Sequence, residues 1–159
     1  PDYDSNPNQI IYSNLNGYST SKGVSLSVDA AFGSGISASF GANWQDVSQN
    51  ENGIRTEQIL TESYSGVWSF SYKNYPTNLT LDYTGNLYGP MRLPLLGDLD
   101  PREEYSPVWS IQNIQLTYDG ITNFEFYGGI KNVLDWTPNK GNPFIIARAN
   151  DPFDKNVQF

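Results

Sequence analysis

The 159-residue sequence contains no cysteine and no histidine. Without cysteine there is no disulfide framework and no thiolate chemistry. Without histidine, the commonest general base and the commonest metal ligand are both missing. Charge is sparse as well: charged residues make up 16% of the chain, against about 25% in an ordinary soluble domain. What charge there is sums to −8, so no basic footprint for nucleic acid exists. No apolar run approaches the ~20 residues of a transmembrane helix. That absence excludes helical spanning and nothing else.

What the chain does have is aromatics and alternation. It holds 11 Tyr, 8 Phe and 4 Trp, with only 38% hydrophobic residues overall. A polar, weakly charged, aromatic-rich composition suits β-structure. Val24, Leu26, Val28, Ala30 and Phe32 alternate with Ser25, Ser27, Asp29 and Ala31. After a Gly33-Ser34-Gly35 turn, Ile36, Ala38, Phe40, Ala42 and Trp44 alternate with Ser37, Ser39, Gly41, Asn43 and Gln45. Tyr64 to Tyr72 and Leu79 to Leu87 repeat the rhythm around an Asn74–Asn78 turn. Ile114 to Tyr118 and Phe124 to Ile130 repeat it again around Asp119-Gly120-Ile121-Thr122. Period two with one apolar and one polar face predicts antiparallel hairpins. The fold class is therefore all-β: a meander of about six strands, at roughly 9–32, 36–46, 57–72, 78–88, 107–118 and 123–134. Asn16-Gly17 and Gly23 interrupt the upper half of the first strand.

Connection lengths add direction. The turns after the first, third and fifth strands are short, whereas long loops near 47–56, 89–106 and 135–159 gather at the other end. Those loops carry most of the proline and many of the charges, including Arg92, Arg102, Glu103 and Glu104. Outer-membrane barrels combine short periplasmic turns with long external loops in this way. The charges inside strands, Asp29, Asp82, Glu125 and Lys131, share the polar parity. On the third strand the apolar positions run from Tyr72 to Tyr64 before Glu62 appears. Nine residues at a rise of about 3.4 Å, tilted by about 40°, cover roughly the apolar band of such a barrel. Trp44, Tyr64, Tyr72 and Trp109 fall near strand ends, where interfacial aromatic girdles belong. A soluble β-sandwich binding module remains the alternative from alternation alone, because it would bury the face that a barrel shows to lipid. A passive porin-like or adhesin barrel is a further alternative.

The segment Phe124 to Asp135, ending Asn132-Val133-Leu134-Asp135, resembles the penultimate strand of TonB-dependent outer-membrane receptors. Asn14 to Ser27 resembles an earlier strand of the same barrels. Asn142-Pro143-Phe144 with Asn150 to Asp154 resembles the last external loop of receptors of Bacteroidetes type. The resemblance implies a plugged barrel of about 22 strands, with these 159 residues as one C-terminal fragment of it. The plug, the energy-coupling box and the closing strand would then lie elsewhere in a longer protein. The Pro1-Asp2-Tyr3-Asp4 start, which carries no signal peptide, agrees with that expectation. The implied partners are the rest of the barrel, the plug, the TonB complex, outer-membrane lipid and a small ligand such as a metal chelate. The implied activity is import of a scarce nutrient, with a ferric siderophore first, in the bacterial outer membrane. No cofactor and no enzymatic activity are expected.

Chemistry-bearing constellations are thin. Glu103-Glu104 is a carboxylate pair, and Asp98, Asp100, Glu103 and Glu104 form an acidic cluster. Their spacing does not match the EF-hand loop, and solvated loop charge is the reading adopted. Gly128-Gly129 has no helix after it to make a phosphate loop, so a close-packing or bending role is expected. Serines are plentiful but have no histidine base. Candidate ligand contacts are Tyr88, Arg92, Arg102, Tyr105 and Trp136: the arginines for an anionic chelate, the aromatics for a planar or sugar-like face. Loop packing is the competing role for each.

Overall fold

The computed structural model describes residues 16–95 and 102–138. It is one antiparallel sheet of seven strands, with no helix among the described residues. The strands are β1 (Gly17–Phe32), β2 (Ile36–Glu51), β3 (Ile54–Glu57), β4 (Tyr64–Asn74), β5 (Leu79–Tyr88), β6 (Trp109–Ile121) and β7 (Phe124–Ile130). Sequence neighbours pair in the order β1-β2-β4-β5-β6-β7, with β3 added beside the end of β2. The meander expected from alternation is therefore present.

Register turns the local alternation into two continuous faces. Ala30, Ala38, Phe70, Tyr83, Ile114 and Ile130 stand directly opposite one another in turn across six strands. The row beside it runs Phe32, Ile36, Tyr72, Leu81, Leu116 and Gly128. Because side chains repeat every second residue, fixing one pair fixes the facing of the whole sheet. The other face carries Asp29, Ser39, Ser69, Thr84 and Asn113 in one row. No charged residue stands on the apolar face between Val24 and Phe32, Tyr64 and Tyr72, or Leu79 and Leu87.

Neither face is covered by a second layer among the described residues. Val24 is 69% exposed, Phe40 48% and Ile130 64%. Leu93, at 4%, is the one buried hydrophobic residue among those described, and it lies outside the strands. A two-sheet sandwich would have buried the apolar face; these residues form a single layer.

The strand limits differ from the sequence expectation in several places. β1 runs unbroken from Gly17 through Gly23, because each residue is paired with β2; residues 9–15 of the expected strand lie outside the described residues. The connection expected at 47–56 is a β-hairpin instead. β2 continues to Glu51, turns at Asn52-Gly53, and pairs back through Ile54–Glu57. Asn52 and Gly53 both have positive φ, 53° and 80°, as a two-residue I′ turn requires.

The strand expected over 57–72 is split. Leu60 holds φ +56°, a left-handed conformation unusual for leucine, and its N–H donates to the Arg92 carbonyl at 2.8 Å. β4 starts only at Tyr64. The turn expected at 119–122 is moved to Thr122-Asn123. The Asp119 N–H is held by the Asn78 carbonyl at 3.1 Å, so β6 extends past it to Ile121. A bulge between Tyr118 and Ile121 absorbs the extra residue.

Loop asymmetry is retained. At one end the connections are Gly33–Gly35, Tyr75–Asn78 and Thr122-Asn123. At the other end, among the described residues, lie 52–63, 89–95, 102–108 and 131–138.

Candidate binding site at the loop end

Two groups of side chains gather at the long-loop end. The first is a stack of three rings. Tyr88 ends β5 and Trp109 begins β6; they stand directly opposite, on the polar face. Their ring centroids are 4.0 Å apart with planes inclined at 21°. Trp136 returns from beyond β7 to cover Trp109 at 4.5 Å and 12°. The parity of Trp109 corrects the expectation that it belongs to an aromatic girdle: it shares the polar face with Tyr88, whereas Trp44, Tyr64 and Tyr72 stand on the apolar one.

Asn132 places Trp136. Its Nδ2 donates to the Trp136 carbonyl at 2.8 Å, and the Trp136 N–H donates back to its Oδ1 at 3.1 Å. The Asn132 N–H donates to Asn113 Oδ1 at 3.0 Å, tying the turn to β6. Asn132 has φ +53° and Asp135 φ +49°, and asparagine and aspartate tolerate that region better than other side chains. The expected strand 123–134 therefore stops at Ile130. Asn132, Val133, Leu134 and Asp135 form a turn rather than a strand end, and Val133 keeps one ladder bond, to the Gln112 carbonyl at 2.8 Å. Leu134 is 55% exposed. Trp109 Nε1 and Thr137 Oγ1 are buried without a hydrogen-bond partner, and such a group costs about 1–3 kcal/mol when unsatisfied.

The second group is the folded-back segment after β5. Arg92 bridges Tyr105 in antiparallel fashion, and Ser106 and Met91 exchange bonds through the Ser106 N–H, the Met91 carbonyl and the Ser106 hydroxyl. Leu93 is buried inside this fold-back. Arg92 Nε meets Glu104 Oε1 at 3.1 Å, which offsets its charge. Arg102 donates to the Pro94 carbonyl at 2.8 Å. The Tyr105 hydroxyl donates to Glu57 Oε2 at 2.8 Å, and that bond to a carboxylate raises the phenol above its ordinary pKa.

The five candidate residues thus divide. Tyr88 and Trp136 come together in one stack. Arg92, Arg102 and Tyr105 share the fold-back, where each is engaged with protein atoms. Trp109 and Asn132 complete the stack; the residue opposite Tyr88 could have been named from the strand pairing, but the return of Trp136 has no local signature. Among the described residues no group of three or more acidic side chains is placed to hold a metal. Asp98 and Asp100 lie outside the described residues, as does the 142–154 motif. Of the Gly128-Gly129 pair expected to pack closely, Gly129 does, since a Cβ there would meet the Ile114 carbonyl, whereas a Cβ at Gly128 would meet open space. Across the polar face, a hollow of about 550 Å³ is lined by Asp82, Thr84, Asn113, Gln115, Tyr127 and Lys131. The arrangement offers rings, amides and hydroxyls for binding. No protein-family model, no curated protein and no solved structure matches the chain.

Proposed function

We propose that this chain is a membrane-spanning portion of an outer-membrane β-barrel, within a receptor of the TonB-dependent type that imports a scarce nutrient. The observation that carries the reading is the exposed apolar face. It is continuous across six strands, free of charge between its aromatic ends, and backed by a face of Ser, Thr, Asn and Gln. A lipid-facing barrel wall needs this combination, since every backbone group is paired along the strands and only apolar side chains meet hydrocarbon. The other half of the reading, energy-coupled import, rests on the Asn132-Val133-Leu134-Asp135 resemblance and on the ring stack at the loop end. The ligand class that fits first is a ferric siderophore; no bond is made or broken in its capture.

Fractionation of the producing cells tests localisation. An antibody against the chain should find it in the outer membrane, and its amount should rise under iron starvation. Disruption of the gene should lower uptake of radiolabelled ferric chelate. Recovery in the soluble fraction would refute the barrel. Outer-membrane recovery with unchanged chelate uptake would retain the barrel and refute the iron-chelate assignment.

A further inference from the structure

The apolar face is not uniform. The row Leu26–Ala42–Gly66–Leu87 crosses four strands with two small residues at its centre. On one side Phe40 and Trp68 stand opposite each other; on the other, Trp44 and Tyr64 do. Bulky pairs flanking a small pair leave an apolar trough of about 400 Å³, floored by Ala42 and Gly66.

Directly beyond the Trp44–Tyr64 end, the same face becomes polar. Lys22 stands opposite Asp46, next in register after Val24 and Trp44. A second hollow, of about 210 Å³, is lined there by Lys22, Asp46, Arg55, Asn50 and the hydroxyl-bearing residues Tyr18, Thr20 and Ser48. Arg55 reaches over from β3: its Nη2 meets both Asp46 oxygens, at 2.8 and 2.6 Å, and its Nε donates to Ser48 Oγ at 3.0 Å. The hollow holds two cations and one carboxylate. Arg55 occupies that carboxylate, which leaves the Lys22 ammonium as the uncompensated charge, among hydroxyl donors.

We propose that the trough and the hollow together form a binding site for one lipid with an anionic phosphodiester headgroup. An acyl chain lies in the trough between the two aromatic pairs, and the phosphate meets Lys22 and the hydroxyl groups. Charge complementarity, and the place of the Lys22–Asp46 pair next in register to the Val24–Trp44 edge of the trough, select this occupant. The site rests on the membrane reading above.

The test uses the chain reconstituted in phosphatidylcholine bilayers, with an acyl-brominated lipid as quencher of tryptophan fluorescence. Trp44 and Trp68 flank the trough; Trp109 and Trp136 are stacked on the opposite side of the sheet. Brominated phosphatidylglycerol should quench at about fivefold lower mole fraction than brominated phosphatidylcholine, the factor one lysine contributes beside an anionic headgroup. Lys22→Gln should abolish that preference while quenching itself persists. Gly66→Leu should weaken quenching by both lipids, because its nearest neighbour, the Gly41 carbonyl, lies 3.7 Å from a Cβ there and the added side chain fills the trough. Equal quenching by the two lipids, or a preference that survives Lys22→Gln, would overturn the lipid site and leave the membrane reading intact. Quenching by neither would overturn the membrane reading itself.

Discussion

Trp68 lies across Gly85, its direct partner on the next strand, so closely that a Cβ at position 85 would overlap the indole. The ring also meets Tyr83 at 6.4 Å in a tilted arrangement. The Tyr83 hydroxyl in turn donates to Gln112 at 2.7 Å, which covers the one amide on that part of the apolar face. A glycine thus makes room for a chain of three side chains crossing β4, β5 and β6.

Gly85→Val should therefore displace the indole and cost about 1–3 kcal/mol, the range for overpacking. The thermal midpoint should fall and the tryptophan emission should shift. An unchanged emission spectrum would show that Trp68 does not need the gap.

Asn132→Ala should release Trp136. It removes two side-chain hydrogen bonds to one residue and places alanine at φ +53°. Together these cost about 2–3 kcal/mol locally. The near-ultraviolet circular dichroism of the stacked tryptophans should collapse while the β-sheet signal stays. Asn132→Asp should fall between the two, since it keeps the acceptor and loses the donor.

Leu93→Ala should open the fold-back after β5. Large-to-small changes at buried sites cost about 2–5 kcal/mol, and a small cluster sits at the low end. Amide hydrogen exchange at Leu93 and Ser106, whose N–H groups donate to the Glu104 and Met91 carbonyls, should accelerate, while exchange in β5 and β6 should not. Uniform acceleration would mean that Leu93 supports the sheet rather than the loop.

Tyr105 carries a pH dependence. Its hydrogen bond to Glu57 raises the phenol pKa, so the folded state favours the neutral form. The contact contributes fully below the unfolded value of about 10 and is lost as pH climbs through the raised folded value. Subtracting the tyrosinate absorbance titration of Tyr105→Phe from that of the unaltered chain should give a midpoint above 10. Glu57→Gln should lower that midpoint.

Several of these features were legible in residue order, and others were not. Asn52-Gly53 is a strong hairpin signal, yet its flanks, Gln49-Asn50-Glu51 and Arg55-Thr56-Glu57, lack the apolar alternation that marks the other strands. Polar alternation has no contrast, so the extension of β2 was invisible to a period-two reading. The bulge at Asp119 was hidden for a different reason: Asp119-Gly120 is an equally good turn, and only the bond from Asp119 to Asn78, in the turn before β5, moves the turn two residues on. At the candidate site, Tyr88 and Trp136 could be named as aromatic residues near loops, but not as neighbours. They lie 48 residues apart in sequence and meet only through Trp109.

The sequence by itself determined the sheet's two faces and the end at which its loops gather. Those follow from a period of two and from turn chemistry, both of which act between near neighbours. The tertiary structure alone decided that six strands align into one apolar surface, uncharged between its aromatic ends, that Arg92 is matched by Glu104 and Tyr105 by Glu57, and that three rings stack on the polar face. Each of these depends on lateral register and on backbone returning from a distance, and no residue's own neighbours encode where a distant segment comes to rest.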